Sequence, residues 1–495
     1  MDEPSPSLAI PDLVASIVML LFAFAAGEAL TQSDGDLFAH IRLGQIILAN
    51  GHIPETSVLG NAAGGMHAVF PAWLAAVGFA LLAKIGGLAL IVAITAVVAG
   101  ATHGLVSDLF RRRGLVPAAN LLASLVSVAL ASSHWLARPH EFSFLFAVIL
   151  LLLLESSFRF APLACAVMFA LWANLHGAWA FGLVLLACYV IGDAIEWKVG
   201  TDSSTWRTRF IRDALCLACA AGATLINPYG LRLHRTVAAT LSDPSVASLI
   251  DEYRPPSLSS FGDLFFFLVL ALAVIAVVRT RKRMSFPAAI AAVVTTVFAL
   301  RAGRNIALFG LVAWPLIVLH IATMWRAQDA TTPARSPRVA RTFGLWSAPV
   351  AAAVLVIGLL HGRLGSLRLI PDEPNPARFP VAAVARMREA RLSDSTLTTW
   401  TWSGYVPYAW PGERVYFDPL LFSPAILDSF GRMLLARRGW RDELASRHIE
   451  LALVPHGIPL ADSLAHDAGW TPWYVDANAV IFRRTASIPA PRATP

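Results

Sequence analysis

Residues able to carry out acid–base or phosphate chemistry lie close together near the start of the chain. They are Asp34, Asp36, His40 and Arg42. A carboxylate can take a proton from a hydroxyl group or hold a divalent metal ion, and an arginine can bind phosphate through paired hydrogen bonds. We therefore take Asp36, supported by Asp34, as the candidate catalytic base or metal ligand. His40 and Arg42 are candidate substrate ligands.

The stretch that begins at Asp36, DLFAHIRLGQIILA, has the pattern of an amphipathic helix lying on a membrane surface. Asp36 would lie in its first turn, and the i, i+4 spacing would put His40 on the same face. Aspartate at such a position also commonly caps a helix. A capping role and a catalytic role for Asp36 are compatible, and both stay open at this point.

Other polar residues flank the apolar runs of the chain, where ionisable groups are costly and usually face a cavity or one another. We expect the following to contribute to substrate binding: Arg138, His140, Asn174, His176, Asn227, Tyr229, Arg301 and Arg304. Taken singly, each has an ordinary explanation as an interfacial anchor, a turn residue or a packed histidine. Taken together, they gather on one side of the membrane in the predicted topology.

The composition is that of a membrane protein, with 57% hydrophobic and 14% charged residues. Soluble domains have about 45–50% and 25%, so a cytosolic enzyme and a disordered chain are both excluded. A spanning helix needs about 20 mostly apolar residues. We predict eleven such runs, at 9–29, 87–109, 115–133, 141–158, 160–174, 177–196, 211–226, 262–278, 285–300, 304–324 and 343–361. A further apolar piece, 71–86, contains Trp73 and Lys84 and suits an interfacial helix better than a span.

The distribution of basic residues predicts the orientation of the spans. With the N-terminus in the cytoplasm, the inside loops carry more Lys and Arg than the outside loops, and treating 71–86 as a span would reverse this bias. The first external loop is then 31–86, and a later one contains the segment DEYR at 251–254. Arg301 and Arg304 also fall outside, where the rule disfavours positive charge. We therefore expect an anionic group such as phosphate to compensate them.

The chain as a whole reads as a polytopic α-helical membrane domain, 1–361, followed by a different kind of sequence. Over 362–485 helices and strands alternate, which is typical of an α/β domain, and the topology puts this domain outside the cytoplasm. Within it we predict a strand at 395–400, a turn, and a strand at 414–417. Residues 486–495 read as a disordered tail.

Glycine-rich nucleotide-binding motifs are missing from the sequence. There is no G-x-x-x-x-G-K-[ST] and no G-x-G-x-x-G opening a helix. This argues against an ATP-driven pump and against an enzyme that uses a soluble nucleotide sugar. The sequence predicts no nucleic-acid partner. An acidic residue beside His and Arg on a multi-span scaffold instead suggests group transfer at the membrane surface, with lipid-solvated helices holding the tail of a lipid-linked donor.

The layout resembles the GT-C superfamily of membrane glycosyltransferases. Residues 36–42, DLFAHIR, are similar to the first-loop D-x-x-x-H-x-R stretch of archaeal oligosaccharyltransferase catalytic subunits. The resemblance implies that Asp36 is catalytic, that it binds a divalent metal such as Mg or Mn, and that the donor is a polyprenyl-phosphate sugar. Residues 400–405, WTWSGY, are faintly similar to the W-W-D-Y-G segment that recognises the acceptor, which implies roles for Trp402 and Tyr405. Ser403 departs from that pattern at the Asp position.

The sequence also resembles a group of uncharacterised bacterial GT-C-like proteins, through short motifs in a fixed order. They are the D-x-D…H…G…G-x-I-P run (Asp34, Asp36, His40, Gly44, Gly51, Ile53, Pro54), R-P-H at 138–140, W-x-N-x-H-G at 172–177, N-P-Y-G at 227–230 and R-N at 304–305. The motifs cover most of the membrane part. This resemblance implies a bacterial inner-membrane location.

Three functions are consistent with these residues. The leading hypothesis is a glycosyltransferase that moves a sugar from a polyprenyl-phosphate donor to an envelope glycan, lipid or protein acceptor on the extracytoplasmic face. In it Asp36 acts as base or metal ligand, His40, His140 and His176 line the cavity, and the arginines bind phosphate. The alternatives are a transporter or flippase for a lipid-linked solute, and a non-catalytic assembly protein for envelope polysaccharide.

Overall fold

The computed structural model describes residues 6–32, 35–200, 202–242, 251–280, 283–326, 345–421 and 423–485. Asp34 and the predicted tail 486–495 lie outside these ranges. By its internal contacts the chain divides into two compact units. Unit 1 comprises residues 1–26, 92–238 and 250–360, and unit 2 comprises residues 27–91, 239–249 and 361–495.

Helices dominate the first three quarters of the chain. In order they are α1 (Pro6–Gln32), α2 (Gly35–Asn50), α3 (Trp73–Arg112), α4 (Pro117–Ser132), α5 (His140–Leu154), α6 (Ala161–Leu175), α7 (Trp179–Val199), α8 (Ser203–Ala223), α9 (Leu231–Ser242), α10 (Phe261–Arg279), α11 (Phe286–Arg301), α12 (Trp314–Arg326) and α13 (Ser347–Leu359). Short 3₁₀ turns lie at Asp251–Tyr253 and Gly303–Asn305, and a π-helical turn, Phe309–Ala313, precedes α12.

Among the described residues, four helical segments are long and apolar enough to cross a membrane: α3, α7, α10 and Gly303–Thr323. Six shorter helices are also apolar: Ala9–Ala25 within α1, and α4, α5, α6, α11 and α13. The protein is therefore a multi-pass membrane protein. The predicted run 211–226 lies in α8, whose first half, SSTWRTRFIRD, is strongly polar and lowers the apolar character of the whole helix.

Helix α3 is interrupted at the boundary between the predicted interfacial piece, 71–86, and the predicted span, 87–109. Gly86 and Gly87 have non-helical backbone angles, and φ at Gly87 is 66°. The carboxylate of Asp372 accepts the N–H of Ala89 at 2.9 Å, which caps the second part of α3, and a Cβ at Gly87 would overlap that carboxylate. Both the positive φ and the close approach require glycine here.

Unit 2 is built around α2, which packs between the first part of α3 and a helix of the C-terminal region, α15 (Trp400–Ala409). Gly44 of α2 lies against the backbone of Ala76 in α3. On the other side, Gly35 lies against Thr401, and a Cβ at Gly404 would overlap the carbonyl oxygen of Gly35. Small residues at these crossings let the backbones approach more closely than side chains would allow.

The C-terminal region contains a mixed four-stranded sheet. Its elements are the hairpin strands β1 (Arg363–Leu364) and β2 (Leu367–Arg368), then α14 (Val381–Glu389), β3 (Thr396–Thr398), α15 (Trp400–Ala409), α16 (Pro424–Leu434), α17 (Trp440–Ser446), β4 (Leu451–Pro455), α18 (Pro459–Ala465), β5 (Trp470–Val475) and β6 (Ala479–Arg484). The sheet order is β3-β4-β6-β5, with β3 parallel to β4 and the other pairs antiparallel.

Residues of the first predicted external loop join this sheet. Val415 forms parallel bridges to both Thr396 and Gly60, and the hydroxyl of Ser57 donates to Asp418 at 2.6 Å. The loop residues 31–86 therefore group largely with the C-terminal region, although the sequence assigns them to the membrane domain.

The segment between β3 and Val415 differs from the prediction. The sequence predicts a turn there, but residues Trp400–Ala409, which include Gly404 and Pro407, form helix α15. The helix is stabilised by packing on α2, where Gly404 makes the close contact and Pro407 is buried. Packing against α2 therefore outweighs the low helix propensity of glycine and proline.

We expect Gly404→Ala to lower the free energy of unfolding by about 1–3 kcal/mol, because the added methyl group forces α15 away from α2. Thermal unfolding of the purified protein in detergent measures this effect. Gly78→Ala in α3 is the matched control, because a Cβ there has no neighbour within 4 Å. Equal unfolding temperatures for the two variants would contradict the close packing of α2 on α15.

Candidate functional site

Asp36 lies in the first turn of α2 and is partly buried. The indole nitrogen Nε1 of Trp400 donates a hydrogen bond to its Oδ1 at 3.1 Å. Trp400 is the first residue of α15 and packs on Phe417, with 4.7 Å between ring centroids. Since α2 and α15 touch near their first residues, two helix N-termini lie close to this carboxylate. Helix N-termini favour negative charge, and the Asp36 carboxylate lies next to both.

The other first-loop candidates lie on the same helix. His40 follows Asp36 by one turn of α2 and is partly buried. Arg42 donates from Nη1 to Oε1 of Gln45 at 3.3 Å. The predicted helix from Asp36 is thus confirmed, and the spacing puts Asp36 and His40 on one face.

The two aromatic residues predicted to recognise an acceptor are enclosed by protein. Trp402 donates from Nε1 to the carbonyl of Arg378 at 2.8 Å. Tyr405 packs against Phe38 and Phe379 at centroid distances of 5.4 and 5.2 Å, and burial raises the pKa of Tyr405 to about 12. Its phenol therefore stays protonated at neutral pH. The aromatic side chain of this motif that contacts Asp36 is Trp400, which the sequence did not single out.

A second cluster of predicted residues lies in unit 1, around a cavity of about 50 Å³. Its walls come from the ends of helices and the turns that join them. The lining residues are His134, His140, Ser143, Phe144, Trp172, His176, Ala178, Phe181, Arg304, Asn305 and Leu308. One water needs about 10–15 Å³, so the cavity fits a small oxyanion or a few waters rather than a sugar ring.

The histidines of the cavity lie close together and are held by hydrogen bonds. The ring centroids of His134 and His140 are 4.5 Å apart, and those of His140 and His176 are 6.4 Å apart. Nε2 of His140 donates to the carbonyl of His134 at 3.0 Å. Ser143 accepts the indole N–H of Trp172 at 2.7 Å and lies 2.8 Å from Nδ1 of His176, so its hydroxyl links Trp172 to His176.

Arg304 lines this cavity, and a glutamate and a second arginine lie next to it. Arg304 donates from Nη1 to Oε1 of Glu252 at 3.2 Å, and Nη1 of Arg138 lies 3.9 Å from Oε2 of the same residue. The Arg304 guanidinium stacks on Tyr253 at 4.5 Å. Burial, and then the charges of Arg304 and Arg138, hold the pKa of His134 well below its usual range. That imidazole therefore stays neutral at neutral pH.

The remaining predicted residues are outside this cluster. Arg301 is exposed at the last residue of α11. Asn174 donates to the carbonyl of Ile226 at 2.8 Å. Asn227 donates to the carbonyl of Thr224 and accepts the N–H of Tyr229, both at 2.7 Å. The two asparagines therefore hold the backbone of the turns that end α6 and α8.

A metal ligand role is predicted for Asp36. Among the described ranges, no group of three or more His, Cys, Asp or Glu residues could hold a metal ion. Oδ1 of Asp36 accepts a hydrogen bond from Trp400. The metal ligand role of Asp36 stays a prediction.

We expect Ser143→Ala to destabilise the protein by about 1–3 kcal/mol, because it leaves the fully buried indole N–H of Trp172 without its acceptor. Thermal unfolding in detergent checks this. The control is Ser132→Ala, since the Ser132 hydroxyl is exposed and bonds only within its own helix turn. If both variants unfold at the wild-type temperature, the chain from Trp172 to His176 does not hold the cavity wall.

No protein-family model matches the sequence, and no curated protein matches it. The structure is similar to solved membrane enzymes. One is the archaeal oligosaccharyltransferase AglB from Archaeoglobus fulgidus in complex with an inhibitory peptide and a dolichol-phosphate, with a TM-score of 0.57 and 12% identity over 98% of this chain and 75% of that one.

The apo form of the Archaeoglobus fulgidus oligosaccharyltransferase matches with a TM-score of 0.52 and 14% identity, over 91% of this chain and 69% of that one. The arabinofuranosyltransferase AftD from Mycobacteria matches with a TM-score of 0.50 and 18% identity, over 95% of this chain and 39% of that one. At these identities the likeness concerns the fold. The chain has the fold of the GT-C membrane glycosyltransferases.

Proposed function

We propose that the protein transfers a sugar from a polyprenyl-phosphate-linked donor to an envelope glycan, lipid or protein acceptor. The observation that carries the proposal is the pair of guanidinium groups, Arg138 and Arg304, beside a cavity at the ends of apolar helices. The fold supports it, since AglB was solved with a dolichol-phosphate and AftD is an arabinofuranosyltransferase. The likeness of this chain to AglB and AftD concerns the fold.

The proposal includes the eleven-span topology and a bacterial inner-membrane location. In that topology the turns that carry Arg138, His176, Glu252 and Arg304 are extracytoplasmic, as is the C-terminal region. A lipid-linked donor would then place its phosphate where the hydrocarbon ends and its tail along the apolar helices.

In the proposed reaction, the acceptor oxygen attacks the anomeric carbon of the donor sugar. The bond between that carbon and the phosphate oxygen breaks, and polyprenyl phosphate leaves with the bonding electron pair. The carboxylate of Asp36 takes the proton from the acceptor hydroxyl. Arg304, with Arg138, stabilises the negative charge that develops on the leaving phosphate.

The remaining candidates have supporting roles in this proposal. His140 and His176 line the cavity, where His176 would contact the phosphate oxygens. Asn174 and Asn227 hold the turn that follows α8. His40 and Arg42 lie on α2, next to the proposed base, where they would contact the acceptor or the sugar.

We expect Asp36→Asn to lower the rate of sugar transfer by about 10²-fold or more, because the amide cannot accept the proton. The assay is transfer from a radiolabelled polyprenyl-phosphate sugar by the purified full-length protein in lipid. Asp428→Asn is the control, since Asp428 is exposed and pairs with Arg432 on a helix surface. Full activity of Asp36→Asn would remove Asp36 from the mechanism. Movement of the labelled lipid across proteoliposomes without a new glycosidic bond would favour a flippase.

The two neighbouring arginines provide a matched comparison for phosphate binding. We expect Arg304→Gln to raise the KM for the donor about tenfold or more, because it removes a charge-assisted hydrogen bond. Arg301→Gln should leave KM within about twofold, because Arg301 is exposed and outside the cluster. Steady-state kinetics with varied donor concentration measure both. The same KM for both variants would reject Arg304 as the phosphate ligand.

A further inference from the structure

Glu252 lies between the two arginines proposed to bind the donor phosphate. It is the middle residue of the 3₁₀ turn Asp251–Tyr253. One carboxylate oxygen is 3.2 Å from Nη1 of Arg304. The other is 3.9 Å from Nη1 of Arg138 and 3.8 Å from Nε2 of His134. The Glu252 carboxylate therefore contacts one guanidinium group and lies near the other.

This contact is loose. Of the three distances, only the one to Arg304 is within hydrogen-bond range, and the other two are too long. The side chain of Glu252 is 26% exposed, against 20% for Arg304 and 18% for Arg138. A partly exposed ion pair with one hydrogen bond contributes little free energy. Arg304 also keeps its stacking contact with Tyr253, which does not require the Glu252 carboxylate.

The negative charge on the lipid phosphate increases during the proposed reaction. The donor is a phosphodiester with one negative charge, whereas the product is a phosphomonoester with about −1.5 to −2 at neutral pH. Two guanidinium groups bind the more highly charged product more strongly than the donor. Product release is therefore the step that Arg138 and Arg304 oppose, unless another anion replaces the phosphate.

We propose that Glu252 is this anion: an internal counter-ion that occupies the donor-phosphate position between turnovers and competes with the product polyprenyl phosphate. This inference rests on the proposed function and gives Glu252 a role in product release. The carboxylate lies within reach of both arginines, carries one charge and is tethered, so it is present at high effective concentration. The donor displaces it on binding, and it returns as the product leaves.

The test is the affinity of the full-length protein in detergent for undecaprenyl phosphate, followed by intrinsic tryptophan fluorescence. We expect Glu252→Gln to bind it about five- to tenfold more tightly than the wild type, because the competing charge is gone and the side-chain volume is kept. In the transfer assay the same variant should show a lower kcat, a lower KM for the donor and stronger inhibition by undecaprenyl phosphate. Glu252→Asp, with its carboxylate drawn back by one methylene, should bind with intermediate affinity.

Asp263→Asn is the control for charge alone, since Asp263 is a nearby external carboxylate that accepts from the backbone of Ser257. It should bind as the wild type does. If Glu252→Gln binds no more tightly than the wild type, or if both Glu252 variants weaken binding, Glu252 is a structural partner of the arginines and the proposal is overturned.

The proposed function fails in a different way. Its failure would appear as a wild-type protein that does not bind undecaprenyl phosphate, or as an Arg304→Gln variant that binds it as tightly as the wild type. If the wild type binds tightly, the binding depends on Arg304 and Glu252→Gln has no effect, only the inference about Glu252 is overturned.

Discussion

The position of the proposed base depends on one close approach between two helix backbones. Helix α15 touches α2 where Gly404 meets the carbonyl of Gly35, and this contact puts Trp400 beside Asp36. Without a side chain at either glycine, both helices begin next to the same carboxylate. The contact joins residues far apart in sequence, so the first loop and the C-terminal region of unit 2 fold as one body around Asp36.

Unit 1 solves a different physical problem, that of holding positive charge at the ends of apolar helices. Arg138 and Arg304 are kept there by a carboxylate, an aromatic face and neighbouring histidines. A permanent strong ion pair would stabilise the arginines and also keep ligands away. Glu252 pairs with Arg304 and lies near Arg138 while staying partly exposed, so in the proposed function a lipid phosphate can replace it.

The parts of this arrangement that depend on local pattern could be predicted from the sequence. The helix beginning at Asp36 follows from its periodicity and its acidic first turn, and the separation of 71–86 from the span 87–109 follows from Pro71, Trp73 and Lys84. Helix α15 could not be predicted in this way, because Gly404 and Pro407 are typical of turns and the helix is stabilised by its contact with α2. Trp400 and Glu252 were seen as parts of motifs, but their partners lie far away in the chain, where spacing carries no signal.

A cryo-electron microscopy structure of the full chain in lipid nanodiscs with undecaprenyl phosphate tests the proposed phosphate site directly. We predict density for the phosphate against Arg304 and Arg138, in the place that Glu252 holds in its absence. The Glu252 side chain should then be turned away from both arginines. A lipid phosphate bound elsewhere, with Glu252 still on Arg304, would overturn the assignment of these arginines.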